Sequence, residues 1–412
     1  MKTSSTNQVF CNLSIIASRY KARVDILQKQ STNNTWNLFL IKLSTKYKVK
    51  YVNEASFIAM VLEKTGMKVI KTTILYISKN YRFGMHISKL FISIDCTEAV
   101  NLQKQNFFKI SDKIIVDLKS RSMPHPYLKS VCKHCHIFQH CVGKNINRHI
   151  FDIPDLSSVE LENFIKRGIH IIDDIPLKFK LNSLQQTIKN CVLRNETYIS
   201  QNLKYELTNM HPPFFYLDFE SVSTAIPLYE HIAPNTQIVT QFSLDKTDNN
   251  GNILTHYEYI NKKKKDCCNH IAKMLIKHLC NKSCSSIITY SNFESIYIRK
   301  LINLFPDLHY GLNNIINRMV DLELLLKRNY YNVNFHGKSS MKKVIEVISP
   351  ELKYMNLDIK NGKDATIAYA FMLYGIYNKT TKQQTIKNLL KYCAMDTLAM
   401  IKIHQFLINL VK

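Results

Sequence analysis

Two acids two residues apart end an apolar run: Phe214-Phe215-Tyr216-Leu217-Asp218-Phe219-Glu220. Side chains alternate along a strand, so Asp218 and Glu220 share one face and Leu217 and Phe219 the other. Two carboxylates converging at a strand end repel each other unless a divalent cation lies between them. The competing reading is a solvent-facing strand edge. A third acid, Glu294, follows Ser291-Asn292-Phe293 at a strand-to-helix turn. An acid there also complements the helix dipole without any metal. A fourth, Asp396, sits among Leu389, Leu390, Leu398 and Ile401 in a helical apolar pattern. An acid in such a stripe is costly unless paired or metal-bound. Tyr392, four residues earlier, shares its helix face and can position a water. A plain Tyr–Asp hydrogen bond is the alternative.

These groups need elements to hold them. Val239–Leu244 and Leu254–Ile260 read as strands that extend Phe214–Glu220 into an antiparallel meander. Cys267–Leu279 reads as a helix, with Ile271, Leu275 and Leu279 on one face. Ser286–Tyr290 is a fourth strand, Ser295–Leu304 a helix, and a last helix covers roughly 382–410. Lys262–Lys265 is a run of four lysines, read as a solvated loop in preference to a phosphate contact.

The order of strand with D-x-E, two strands, helix, strand, acid, helices and a final Y-x-x-x-D resembles the RNase H-like sheet of the DEDD exonucleases, tyrosine subgroup. That resemblance implies that Asp218, Glu220, Glu294 and Asp396 hold two Mg²⁺ or Mn²⁺ ions and that Tyr392 orients the attacking water. Glu294 departs from the pattern, where most relatives carry Asp. Leu217–Glu220, Ala225-Ile226-Pro227, Tyr229, Pro234, Gln237-Ile238, Gln241–Leu244, Asn292-Phe293-Glu294, Arg318, Asp321-Leu322, Gly337, Ser339–Val344, Pro350, Gly362 and Tyr392–Thr397 resemble a bacterial family of uncharacterised proteins. That family pairs a RecB-like nuclease module with an exonuclease-like domain. In its pattern Asp321 supports the site or serves as an alternative third ligand. Lys342 and Lys343 follow a Gly-Lys-Ser-Ser turn and are candidates for the nucleic-acid backbone. The plainer reading has Ser339 or Ser340 capping a helix over Met341–Ile348.

Upstream, Ser14–Ala17, Ala22–Leu27, Trp36–Leu43 and Val69–Ile77 read as strands and Tyr51–Thr65 as a helix stopped by Gly66. Val24–Leu27 and Leu38–Lys42 resemble the core of RecB-like PD-(D/E)xK nucleases, with Asp25 and Lys42 in place. Leu40 stands where a second acid is needed, and leucine cannot bind a hard cation. Ile58 stands where relatives often carry Gln. The module is therefore expected to be inactive, and its short start suggests a truncated version. Cys132, Cys135 and Cys141 form a C-x2-C-x5-C cluster. Three readings stay open: an iron–sulfur cluster, which usually needs four thiolates, a zinc site completed by His134, His136, His140 or His149, and free thiols.

The chain has 412 residues, 11 cysteines, only 9 glycines and 10 prolines, and a net charge of +25. Length predicts two or three domains: 1–145, a degenerate nuclease-like module with the cysteine cluster; 146–205, a helical connector; and 206–412, the exonuclease-like domain. The fold class is α/β: an RNase H-like mixed sheet with flanking helices, preceded by a restriction-endonuclease-type module. No apolar run reaches the length of a membrane span, and the start lacks signal-peptide order, so a cytoplasmic protein with reduced thiols is expected. Basic charge favours nucleic acid, DNA or RNA, as partner. Lysines dominate it, though, and with the many Ile and Asn they also reflect AT-rich codons. No membrane and no small organic cofactor is expected. The expected activity is a metal-dependent 3′–5′ exonuclease. The alternative is a non-catalytic nucleic-acid-binding protein or a truncated, decaying nuclease.

Overall fold

In the computed structural model of the chain, residues 8–30, 34–120, 122, 125–144, 146–280 and 284–412 are described. The reading of the chain start as free of a leader falls partly on residues 1–7, outside the described residues. The fold is mixed α/β and divides into two compact units, 1–125 with 223–237, and 126–222 with 238–412. The cysteine cluster and the 146–205 stretch thus belong to the second unit, and 223–237 to the first.

The first unit is one five-stranded sheet in the order β1-β2-β3-β4-β5: β1 (Val9–Ala17), β2 (Tyr20–Lys29), β3 (Thr35–Lys42), β4 (Lys68–Ile77) and β5 (Phe91–Asp95). Only β3 and β4 pair in parallel, because α1 (Lys50–Lys64) supplies the crossover between them. The buried residues Val24, Leu27, Leu38 and Leu40 of the sheet join Ala55, Ile58, Ala59 and Leu62 of α1 in one core. Helix α2 (Thr97–Lys119) completes the unit. It and β5 escaped the sequence reading; α2 buries only Val100, Lys104 and Ser111, with Phe107 and Phe108 half-buried against the core.

The second unit opens with α3 (Ser158–Lys166) and α4 (Ser183–Arg194), each begun by a capping box that satisfies free amide donors reciprocally. Strand β6 (Tyr198–Ile199) and α5 (Leu203–Thr208) lead into β7 (Phe214–Val222). Next come β8 (Ile238–Thr247), β9 (Ile253–Ile260), α6 (Cys268–Leu279), β10 (Ile287–Thr289), α7 (Phe293–Leu304), α8 (His309–Ile316), β11 (Met319–Asp321) and α9 (Leu322–Asn329). Strand β12 (Tyr330–Tyr331), α10 (Met341–Ile348), α11 (Gly362–Tyr374) and α12 (Lys379–Asn409) end the chain.

The main sheet runs β11-β10-β7-β8-β9. Strands β7, β8 and β9 are the expected antiparallel meander, and β10 returns parallel to β7 after α6. Strand β7 is covered on both faces, with Tyr216, Leu217 and Phe219 buried. Residues Phe219 and Tyr297 of α7 make an edge-on ring contact on one face. Helix α12, 31 residues long, lies against the other. Gln241 Nε2 donates to the Leu389 carbonyl at 2.8 Å, and Ser243 and Thr397 hydroxyls meet at 3.1 Å. Gly337, at φ +67, sits where a Cβ would come within 2.0 Å of the Asp152 carbonyl oxygen, so the turn into α10 requires glycine there. Among the described residues no helix is long and apolar enough to cross a membrane.

Candidate metal centre

The alternation of β7 and the 3.6-residue period of α12 aim their acids at each other. Carboxylate oxygens of Asp218, Glu220 and Asp396 lie within 4.8 Å of one another, the one such set of potential metal ligands among the described residues. Cys393, one residue after Tyr392, brings its thiol to 3.2 Å from Asp218 Oδ2. Asp396 Oδ1 accepts from the Tyr354 hydroxyl at 2.6 Å.

Glu294 stands outside that set of three, in the first turn of α7. Its carboxylate adds to the charge felt by Asp218 and Glu220. Its Oε2 is buried without a hydrogen-bond partner. A sharp turn aims it: Ser291 has φ +95, a region that non-glycine residues seldom occupy. Asp321 holds this turn. Its Oδ1 accepts from the Ser291 amide and also caps α9 at Leu324, each at 3.1 Å. Asp321 thus supports Glu294 through the backbone.

Burial raises every acid of the cluster, and repulsion from neighbouring acids adds to it at Asp218, Glu220 and Glu294. Glu220 is pushed up to about 8, first by burial and then by Asp396, and Glu294 to about 8, chiefly by burial. Asp218 rises well above the carboxylate range, through burial and then Asp396, Glu220 and Glu294. Asp396 rises only to about 6, because the Tyr354 hydrogen bond and Lys342 oppose its burial. A divalent cation fits this donor set. All the donors are carboxylate oxygens, which suit hard ions, the charges repel when ionised, and one buried oxygen of Glu294 lacks any partner.

Tyr392 is buried, and its hydroxyl accepts from Lys342 Nζ at 2.9 Å. Lys342 also donates to the Lys360 carbonyl at 2.7 Å and lies 4.8 Å from the ring centres of both Tyr354 and Tyr392. Lys343 pairs with Glu346 at 3.7 Å. Both candidate backbone lysines are thus engaged by protein groups. The expected serine cap of α10 is corrected: Ser340 occupies the cap position without a side-chain bond, and Ser339 Oγ donates to Glu323 instead. Tyr354, Cys393 and the Lys342–Tyr392 bond went unread in the sequence.

In the first unit Asp25 accepts from the Ile41 amide at 2.7 Å, Leu40 is fully buried in the core and Ile58 nearly so, and Lys42 pairs with Glu54 at 2.7 Å. Cys132, Cys135 and Cys141 form no disulfide and lie on or beside short 3-10 turns. No three ligand atoms converge around them among the described residues. His149, one zinc candidate, packs between Phe138 and Phe151 and accepts from the Phe151 amide, and burial lowers its pKa to about 4.

Residues 215–340 match the family described as a domain of unknown function, DUF2779. The match takes in Asp218, Glu220, Glu294 and Asp321 and ends before Tyr392. The chain is 28% identical over 222 residues to an uncharacterized protein of Mycoplasma genitalium, covering 48% of this chain and 32% of that protein. Its homolog in Mycoplasma pneumoniae, also uncharacterized, is 27% identical over 217 residues, covering 47% and 32%. The chain thus spans about a third of the length of the curated relatives it matches. No solved structure matches.

Proposed function

We propose that the second unit is a divalent-metal-dependent 3′–5′ exonuclease acting on nucleic acid, built on an RNase H-like sheet of the DEDD type. The first unit is then an inactive RecB-like module serving as scaffold or clamp. The observation that carries the reading is the meeting of Asp218, Glu220 and Asp396 within 4.8 Å, with Tyr392 one helical turn before Asp396. The sheet order β11-β10-β7-β8-β9 and the buried, unpartnered oxygen of Glu294 support it.

Asp218, Glu220 and Asp396, with Glu294 beside them, would hold Mg²⁺ or Mn²⁺, which supply Lewis acidity toward a phosphodiester and acidify water. The protein's own part is to bind and orient. Lys342 donates to the Tyr392 oxygen, so the hydroxyl proton of Tyr392 is directed away from Lys342, toward a water or a phosphate oxygen. Tyr354 holds Asp396 in place. The burial of these groups excludes bulk water and strengthens their electrostatics.

Incubation of the purified chain with 5′-labelled single- and double-stranded DNA and RNA, with Mn²⁺ or EDTA, tests the proposal. The expected result is a ladder shortening from the 3′ end with Mn²⁺ alone. A single internal cut, or cleavage unaffected by Asp218→Asn, overturns it. A second reading, a nucleic-acid-binding protein without catalysis, draws on the first unit, where Leu40 fills the core in place of an acid. It predicts strand binding with no cleavage in any metal.

A further inference from the structure

Beyond the carboxylate cluster, the second unit has an open cavity of about 740 Å³ lined by Lys262, Lys263, Lys265, Lys273, Tyr259 and Leu390, among others. All four lysines are exposed, and no ion pair among the described residues involves them. The lysine run of the sequence is therefore one wall of a concave surface. The loop that bears it is built. Asn261 is buried, donates from Nδ2 to the Lys265 carbonyl at 2.9 Å and accepts from the Lys263 amide at 3.1 Å. Its own carbonyl accepts from the Tyr369 hydroxyl at 2.9 Å.

Register places this loop beside the acids. Glu220 pairs with Gln241, and Gln241 with Ile260, the last residue before the loop. The lysine loop thus leaves the sheet in the row of Glu220, two strands away, a span of roughly 10 Å at the usual strand spacing. Helix α12 borders both places, Leu390 lining the cavity and Tyr392 and Asp396 the cluster. Tyr259, half-buried against Phe242, and the exposed His270 beside it add aromatic surface to the same cavity. Unpaired cations with an aromatic platform in a groove are what a single-stranded nucleic acid requires, with phosphates on the lysines and a base on the ring.

Resting on the exonuclease reading, we infer that this cavity holds the unreacted part of a single-stranded substrate, several phosphates of it, while the 3′ end lies at the carboxylates. The experiment compares the full chain with a variant carrying Lys262→Gln, Lys263→Gln, Lys265→Gln and Lys273→Gln. A control variant neutralises Lys166, Lys178, Lys180 and Lys204, exposed lysines elsewhere in the same unit. Binding of a fluorescent 20-nucleotide single strand is read by anisotropy in EDTA, where nothing is cleaved. The cavity variant is expected to bind ~10-fold or more weakly at low salt, its salt slope reduced by about 0.7 for each phosphate that is no longer neutralised. The control variant keeps the wild-type slope, and single-strand competitors displace the probe better than duplex. Loss of affinity equal to that of the control, an unchanged slope, or better competition by duplex overturns the inference. The two readings separate in Mn²⁺. If the groove is right, the cavity variant cleaves a dinucleotide at the wild-type kcat but shows a raised KM on the 20-mer. If neither substrate is cleaved by any form while the anisotropy difference stands, the groove survives and the exonuclease proposal falls.

Discussion

Asp218 is raised first by burial and then by Asp396, Glu220 and Glu294, and its Oδ2 touches the Cys393 thiol. Asp218→Asn keeps the shape of that side chain but removes the charge a cation needs. Under the exonuclease proposal it should lower turnover severely, by an amount on the order of several kcal/mol in barrier. Strand binding, carried by basic groups, should persist or tighten. Tyr392→Phe removes one hydroxyl and should cost less, about 10²-fold or so in rate. Single-turnover cleavage beside anisotropy binding separates the two effects. The protonation of these acids gives a second prediction. Glu220 and Glu294 shift from an ordinary 4.5 to about 8, and Asp396 from 3.8 to about 6. Between those values the folded chain holds protons that the unfolded chain has released, so stability is full below about pH 3.8 and falls as pH rises toward 8. In EDTA the second unit should melt at a lower temperature at pH 8 than at pH 5.5, each kcal/mol being worth about 2–4 °C for a unit of this size. Mn²⁺ should reverse the loss at pH 8 and do little at pH 5.5, because it competes with protons for the same oxygens. A thermal scan at both pH values with and without Mn²⁺ checks this. Equal melting in EDTA would contradict the raised pKa values.

Between β10 and α7 the chain turns through Ser291 at φ +95, and that turn delivers Glu294 to the acids. Such a conformation costs on the order of 1–3 kcal/mol and persists only where neighbours enforce it. Asp321 is one such neighbour, bonded to both the Ser291 amide and the first turn of α9. Asp321→Ala should destabilise the second unit by about 1–2 kcal/mol, the usual loss of a helix cap, and should weaken Mn²⁺ binding through the displaced Glu294. Asp321→Asn keeps an acceptor oxygen and should restore most of the stability. Urea midpoints for the two variants test the cap, and Mn²⁺ titration by calorimetry tests the turn. If Asp321→Asn loses metal binding as fully as Asp321→Ala, the carboxylate itself touches the ion and the supporting role is wrong.

Across the whole molecule the two compact units do not follow the linear order of the chain. Residues 223–237 leave β7, belong to the first unit, and return to β8 of the second. In the first unit Asp25 and Lys42 are both engaged by protein groups, Asp25 by the Ile41 amide and Lys42 by Glu54. Asp25→Ala should therefore leave any nuclease activity within a small factor of wild type. It should still cost about 1–3 kcal/mol of stability, because the Ile41 amide loses its acceptor. Cleavage rates and a denaturation curve for this one variant address both points. A large loss of cleavage with folding intact would show the first unit to be catalytic.

The sequence by itself determined the parts governed by local period. Alternation in Phe214–Glu220 put Asp218 and Glu220 on one face, four-residue spacing put Tyr392 and Asp396 on one helix face, and both elements occur where the pattern places them. Only the tertiary structure decided the partners. Tyr354 reaches Asp396 across 42 residues, Lys342 reaches Tyr392 across 50, and Cys393 reaches Asp218 across 175. Nothing local marks such pairings, since they form when separately folded elements pack and are selected by burial and unmet hydrogen-bond demand. The same reason hid the role of the four-lysine run. Its charge was legible, but the cavity it lines exists only once β9, α6 and α12 come together.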